Sequence, residues 1–246
     1  MLSADGGEFI WFGQEGSPFQ RKKIGSLLET PNFYHYLSAL DNLKITNSIS
    51  GRGNAREMDQ VLEKVKLYER RNTRFSTYSL GMKQRLAIAA ALLGDPAVLV
   101  FDEPTNGLDP VGIAEIRQLI IELAKQGHTI IMASHLLDEV EKVCTHVAIL
   151  KKGTLLTTGD VEEVLIDDDL VEIGAIDLGA LQAVMQNYAP GIRIQQEKQL
   201  LQIILPKGSA KLDEINSYCF SNGVILNHLF FKKKRLEAKF FELTNN

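Results

Sequence analysis

The sequence has 246 residues, of which 45% are apolar and 24% are charged, and this globular composition excludes collagen-like, coiled-coil and disordered proteins. The 27 basic and 31 acidic residues give a net charge of −4, which argues against a broad nucleic-acid surface and predicts no nucleic-acid partner. The two cysteines lack a metal-binding spacing and fit a reducing cytosol, and no unbroken apolar run of about 18 residues is present.

The first third of the chain combines short strands with a helical segment. Its opening residues lack the charged-then-apolar pattern of a signal peptide, so we expect a cytoplasmic protein. Apolar spacing predicts strands over 8–13 and 23–29 and a helical subdomain over about 36–93, with its clearest helices at 54–67 and 80–93.

The middle of the chain predicts a β-α-β unit. Residues 97–101 and 129–133 are continuous aliphatic runs, typical of strands buried on both faces of a parallel sheet. Between them, residues 111–126 form an amphipathic helical pattern that Gly127 ends. The expected fold class is therefore α/β with a doubly wound parallel sheet.

The carboxyl-terminal part predicts a second, α+β module. A helix over 136–144 and a hairpin over 147–150 and 154–157 precede a boundary at residues 159–160, which divides the chain into domains 1–160 and 161–246. The order β-α-β-β-α-β plus a helix is typical of a ferredoxin-like module, with elements at 170–174, 177–187, 192–197, 200–205, 209–221, 223–230 and 235–243. The basic run 232–235 is interpreted as a solvated corner rather than as a lipid or nucleic-acid patch.

Two adjacent carboxylates, Asp102 and Glu103, follow the buried strand at 97–101. Ligands bind at the carboxyl ends of strands in open α/β sheets, where such acids can hold Mg²⁺ and polarise a water molecule. A plain charged turn would explain neither the paired acids nor the turn through Gly107 and Asp109 that follows them.

A second candidate site opens the helix at 80–93. Ser79 and the glycine-spaced backbone N–H groups near Gly81 form a pattern for anion binding at a helix N-terminus. Taken alone, the pattern is weak, and an ordinary N-cap is the better interpretation of Ser79. Its position upstream of the paired acids favours the anion site.

These segments together resemble the ATP-binding subunits of ABC transporters, over nearly all of residues 8–160. Residues 78–82 are similar to the signature motif, 99–103 to Walker B and 106–109 to the D-loop. His135 is similar to the switch histidine, and Glu29 stands where the family usually has the Q-loop glutamine. The form of residues 78–82 and the added module are most similar to the multidrug, bacitracin and lantibiotic export branch.

The resemblance implies a P-loop NTPase-like core that uses ATP and Mg²⁺ and hydrolyses ATP to power a permease. It assigns catalysis to Glu103 and His135 and the metal to Asp102 and Glu29. It assigns ATP contacts to Ser79, Gly81, Met82, Asp109 and Glu29. An ionised Glu29 cannot donate a hydrogen bond, but its oxygen can approach Mg²⁺.

The implied partners are a second ATP-binding subunit, identical or different, and a transmembrane permease subunit. The implied location is peripheral, on the inner face of the cell membrane. A DNA-repair ATPase or a translation factor of the same superfamily fits less well, because those proteins contain long coiled coils or two cassettes.

For His135 two other interpretations stay open: a helix-start histidine packed on the sheet, and a zinc ligand with Asp138 and Glu139, which lacks further ligands.

The 246 residues contain no Gly-x-x-x-x-Gly-Lys-Ser/Thr motif, the P-loop that in the family precedes the segment matching residues 8–13. We expect amino-terminal truncation as the explanation. Two hypotheses follow: a hydrolysing subunit when complete, inactive as this chain alone, or a non-hydrolysing partner that lends its signature motif to another subunit's ATP.

Overall fold

The computed structural model describes residues 6–165, 169–189, 192–206 and 208–232, together with Leu236 and Phe240. The chain divides into two compact units, Met1–Leu136 and Leu137–Asn246. This division falls before the predicted boundary at residue 160, so the domains 1–160 and 161–246 stay a prediction. The predicted helix at 235–243 lies outside the described residues, apart from Leu236 and Phe240.

The first unit begins with a small hairpin. Strands β1 (Ile10–Trp11) and β2 (Gln14–Glu15) pair antiparallel, so the prediction of one strand over 8–13 is wrong. The two turn residues explain the difference, because Phe12 and Gly13 both adopt positive φ angles, 54° and 70°, which reverse the chain in a two-residue turn. A short helix, α1 (Pro18–Arg21), follows and is capped by the Ser17 hydroxyl.

The centre of the first unit is a parallel sheet in the order β3-β4-β5. Its strands are β3 (Ile24–Leu27), β4 (Val98–Asp102) and β5 (Thr129–Ala133). On β4, Leu99 and Phe101 of one face are fully buried, but Val98 and Val100 of the other face are half-buried. On β5, Ile131 is 48% exposed, so the predicted burial on both faces is incomplete on β4 and is not observed on β5. The reason is its position, because within the described residues β5 pairs with β4 alone.

Four longer helices accompany this sheet, and three of them confirm the helices predicted at 54–67, 80–93 and 111–126. A side chain caps each N-terminus: Ser38 before α2 (Ala39–Ser50), Asn54 before α3 (Ala55–Lys64), Ser79 before α4 (Leu80–Leu92) and Asp109 before α5 (Pro110–Lys125). Helix α4 is buried from Leu86 to Leu92 and packs directly on β3. A Cβ at Gly25 would lie 2.2 Å from the Ala91 carbonyl oxygen, so this contact requires glycine.

The second unit starts with a helix and a hairpin and continues as a βαββαβ module. The elements are α6 (Leu137–Val143), β6 (His146–Lys151), β7 (Thr154–Asp160), α7 (Val161–Leu165), β8 (Asp169–Ala175), α8 (Leu178–Met185), β9 (Arg193–Glu197), β10 (Leu200–Leu205), α9 (Leu212–Ser221) and β11 (Leu226–Lys232). The module's strands form one antiparallel sheet in the order β11-β8-β10-β9, the ferredoxin-like arrangement that the sequence predicts.

The core of the module lies between this sheet and helices α8 and α9. Alternate residues of β8 and β10, such as Val171 and Ile203, pack on Met185 and Ile215. Among the helices of the described residues, none has the length and apolar character needed to cross a membrane.

Candidate active site

The carboxyl ends of β4 and β5 bring Glu103 and His135 together. In the parallel register Asp102 lies beside Ala133, and the Glu103 N–H donates to the Ala133 carbonyl oxygen at 3.0 Å. The residues that follow β4 and β5 therefore leave the sheet side by side. The His135 N–H donates to Glu103 Oε1 at 3.0 Å, and His135 Nδ1 lies 2.8 Å from Glu103 Oε2.

Both oxygens of the Glu103 carboxylate are thus held by one residue. Its side chain is 19% exposed, whereas the His135 side chain is 61% exposed and accessible from solvent. A carboxylate oxygen has two lone pairs, so each oxygen retains a site for a water proton. His135 can therefore orient the Glu103 carboxylate and still leave its oxygens able to accept a proton from water.

The backbone at Glu103 adopts a φ of +48°, which is uncommon for a residue with a side chain. It starts a tight turn in which the Asn106 N–H donates to the Glu103 carbonyl oxygen at 3.2 Å. Such a conformation persists where its surroundings determine it, and the bonds to Ala133 and His135 do so here.

Asp102 ends β4 with an exposed side chain whose carboxylate makes no hydrogen bond or ion pair with any described residue. A free oxygen donor suits Mg²⁺, which commonly binds one or two protein carboxylates and completes its shell with water and phosphate oxygens. Within the described ranges there is no group of three or more His, Cys, Asp or Glu side chains that could hold a metal ion. The one free carboxylate of Asp102 fits a Mg²⁺ site whose other ligands are water and phosphate oxygens.

Glu29, which follows β3, contacts the turn after β4. Its Oε1 accepts a hydrogen bond from Asn106 Nδ2 at 2.8 Å. Sequence reasoning missed this contact, although both residues come shortly after neighbouring parallel strands. The predicted roles of Glu29 toward Mg²⁺ and ATP stay predictions.

The signature-like segment and the turn before α5 line one cavity of about 400 Å³. Ser79 Oγ accepts from the Met82 N–H at 3.3 Å, and Asp109 Oδ1 accepts from the Gly112 N–H at 2.9 Å, so both residues are N-caps. Capping uses one lone pair of the Ser79 hydroxyl, and its proton remains available to a ligand. The cavity is lined by neither Asp102, Glu103 nor His135.

Tyr78 anchors the start of the signature-like segment, residues 78–82. Its ring is buried, and its hydroxyl donates to the Arg70 carbonyl oxygen at 2.7 Å. Burial raises the pKa of Tyr78, so the hydroxyl stays protonated and this bond is stable at neutral pH.

Arg85 and Glu115 also line this cavity, and sequence reasoning missed them. Arg85 Nη2 lies 3.7 Å from Glu115 Oε2, and Arg85 Nε is buried without a hydrogen-bond partner among the described residues. The available signal was helical spacing, because Gly81 and Arg85 are four residues apart and share one face of α4.

Comparison with known proteins agrees with this geometry. The family described as ABC transporter matches residues 2–106. The bacitracin transport ATP-binding protein BcrA of Bacillus licheniformis is 48% identical over 63% of this chain and 52% of its own length. The uncharacterized ABC transporter ATP-binding protein YdbJ of Bacillus subtilis is 32% identical over 94% of this chain and 75% of its own length.

The structure of cbiO1 from Clostridium perfringens, part of the ABC transporter complex cbiONQ, superposes with a TM-score of 0.61 at 28% identity. That match covers 67% of this chain and 70% of the other. The chain spans about half the length of several curated relatives, 49%, 46% and 52% in three of them.

Proposed function

The chain belongs to the ABC transporter family of ATP-binding proteins, and on that premise we propose that it contributes the ATP-hydrolysing part of a membrane exporter. The observation that carries this proposal is the Glu103 carboxylate, held on both oxygens by His135 beside the free carboxylate of Asp102. Relatives named for bacitracin and lantibiotic transport support the export assignment.

In this proposal Glu103 is the general base that accepts a proton from the attacking water. His135 holds the carboxylate in position and, through its exposed ring, contacts the terminal phosphate of ATP. Asp102, with Glu29, holds Mg²⁺, which neutralises charge on the phosphates when it is bound. Orientation and electrostatics then supply most of the catalysis.

We assign Ser79, Gly81, Met82 and Asp109 to a different ATP molecule from the one that Glu103 hydrolyses. Ser79, Gly81 and Asp109 line one cavity, and Met82 follows Gly81 on α4. Asp102, Glu103 and His135, which we call the acid end of the sheet, do not line this cavity, and this supports action across a dimer interface. The partner is a second ATP-binding subunit, identical or different, and both associate with a transmembrane permease at the inner face of the membrane.

The cavity beside Ser79, Gly81 and Asp109 also supports a second candidate function. Because the 246 residues contain no P-loop sequence, this chain alone lacks the lysine and glycine-rich N–H groups that surround ATP phosphates. A chain with an intact signature cavity could still complete the ATP site of a different subunit. In that case the chain is a non-hydrolysing partner.

Adding a P-loop segment tests the first function. A strand, a glycine-rich loop of the Gly-x-x-x-x-Gly-Lys-Ser/Thr type and a helix would be fused before residue 8, and Mg-ATP hydrolysis would be measured. We expect turnover that Glu103→Gln lowers by about 10²–10⁴-fold while ATP binding is kept, because the variant removes a general base.

Glu63→Gln, an exposed change on α3, is the matched control and should leave turnover unchanged. Equal turnover in the Glu103→Gln and Glu63→Gln variants would remove Glu103 from the mechanism.

A further inference from the structure

A second concave surface lies at the amino ends of β3 and β4. We call it the amino-end cavity; it has a volume of about 450 Å³, and its lining includes Phe12, Lys22, Lys23, Arg52 and Asp95. The five residues of β4 separate it from the acid end of the sheet, and at about 3.3 Å per residue they span about 15 Å. A ligand here would not touch Glu103 or His135.

The lining of this cavity is basic. Three of its side chains are cations and one is an acid, and Lys22, Lys23 and Arg52 form no ion pair within the described part of the chain. Asp95 points largely into solvent, with 87% of its side chain exposed, and lies 3.8 Å from His128 Nε2. A second carboxylate, Glu57, lies beside the cavity and accepts from the Gly94 N–H at 3.2 Å, but it forms no ion pair with Arg52. Three cations against these two acids leave an excess of positive charge.

Arg52 is the fixed element of the cavity. Its Nη1 donates to the Ile24 carbonyl oxygen at 2.9 Å, and its stem packs so closely on Gly94 that a Cβ there would lie 2.9 Å from Arg52 Cβ. Among the described residues Ile24 is the one partner of the guanidinium, which carries five N–H donors. The side chain is half-buried, and burial lowers the pKa of Arg52.

A partly desolvated cation without a counter-ion is costly, and an anion that uses its free donors relieves that cost. Lys23 adds a second oriented charge, because its Nζ lies 5.7 Å from the Phe12 ring centroid and 5.3 Å from that of Phe19. These aromatic contacts hold the ammonium in place without neutralising it.

We propose that the amino-end cavity binds a phosphate-bearing anion, at the end of the sheet away from the paired acids. Arg52 supplies directed hydrogen bonds to the phosphate oxygens, and Lys22 and Lys23 supply charge. The recognised chemistry is a phosphate group, free or carried on a lipid headgroup. The site is separate from nucleotide hydrolysis and does not depend on the function proposed above.

Calorimetric titration of the 246-residue chain with pyrophosphate at low ionic strength tests this proposal. We expect saturable binding at one site, weakened about tenfold or more by Arg52→Gln. Arg56→Gln is the matched control, because Arg56 is an exposed arginine on α3 outside the cavity, and it should bind like the parent chain.

Two further variants keep the test decisive. Arg52→Gln also removes the hydrogen bond to Ile24 and can impair folding. The Lys22→Gln/Lys23→Gln double variant changes only exposed side chains, and we expect it to weaken pyrophosphate binding as well. Asp102→Asn should leave pyrophosphate binding unchanged. No saturable binding, an equal loss in Arg56→Gln, or loss in Asp102→Asn would overturn the proposal.

Vesicles of phosphatidylglycerol distinguish the sources of the phosphate group once pyrophosphate binding is observed. Cosedimentation that Arg52→Gln abolishes supports a lipid headgroup. Absence of cosedimentation supports a free phosphate compound.

Discussion

The two larger sheets of the described residues place their charged pairs differently. In the parallel sheet of the first unit all strands end at one edge, so the residues after β4 and β5 meet there and Glu103 pairs with His135. In the antiparallel sheet of the second unit neighbouring strands end at opposite edges. The charged pair there forms within the ladder, between Glu172 in the middle of β8 and Lys232, the last residue of β11, at 2.7 Å.

The contrast distinguishes a candidate ligand site, Glu103 with His135, from a contact that only stabilises the fold, Glu172 with Lys232. Residues that leave the sheet at a strand end can reach a ligand, because no neighbouring strand occupies the space beyond them. Residues within a ladder mainly reach each other. We therefore propose that the catalytic groups lie in the first unit and that residues 161–246 contribute none.

Mixed dimers give the largest expected effect. In P-loop-extended chains, one subunit would carry Ser79→Arg and the other Glu103→Gln. If Ser79 acts across the interface, both lesions fall in one composite site and about half of the hydrolysis remains. Near-complete loss in the mixed dimer would show that Ser79 and Glu103 of one and the same subunit serve the same ATP. Dimers carrying one variant in both subunits are the controls.

Glycine substitutions compare the packing of the two units. Gly25→Ala places a Cβ 2.2 Å from the rigid Ala91 carbonyl, and we expect a loss of about 3 kcal/mol or more in the free energy of unfolding. Gly174→Ala in the second unit meets Leu200 Cδ2 at 2.8 Å and Asn227 Oδ1 at 2.9 Å, both ends of flexible side chains, and His228 Cβ at 3.2 Å. Because its two shortest contacts can move, it should cost less than Gly25→Ala. Denaturant unfolding of each variant measures both values, and an equal loss would contradict the comparison.

The smallest effect concerns pH and the Glu172–Lys232 pair. The hydrogen bond from Lys232 lowers the pKa of Glu172 and outweighs burial, which raises it. A lowered acid pKa contributes stability above the ordinary glutamate range, and that contribution is lost as pH falls through the folded-state pKa. Because Lys232 is 43% exposed, we expect no more than about 1 kcal/mol.

Denaturation of Glu172→Gln at neutral and acidic pH checks this. The variant should be less stable than the parent at neutral pH, and the difference should shrink on acidification. The exposed change Glu162→Gln serves as the control. A difference that grows at acidic pH would show that the sign is wrong.

The sequence predicted most of the architecture because apolar periodicity is strong in both units. The strand at Leu99 and the helix opened by Ser79 each have a clear pattern and an end signal. The hairpin at residues 10–15 was missed because its reversal depends on a positive φ at Phe12, which composition does not reveal. The exposure of β5 was missed because burial depends on neighbouring strands rather than on the run itself.

The sequence predicted which residues form the candidate site but not which of their side chains contact one another. Paired acids after a strand indicate a metal and a base, so Asp102 and Glu103 are visible in the sequence. The bond from Asn106 to Glu29 depends on the conformation of a turn 77 residues away along the chain, and no local pattern encodes it. Arg52 was missed for a similar reason, since its partner carbonyl at Ile24 is 28 residues distant.

The central claim is that these 246 residues carry the acid end of an ATP site without the groups that hold its phosphates. Calorimetric titration of the monodisperse chain with Mg-ATP tests it most directly, with the Asp102→Asn variant alongside. We expect no hydrolysis and no saturable binding at the acid end, because carboxylates without the P-loop lysine repel a triphosphate. Any binding of the triphosphate at the amino-end cavity is lost in Arg52→Gln and is unchanged in Asp102→Asn. Saturable micromolar binding of Mg-ATP that Asp102→Asn weakens would contradict the account.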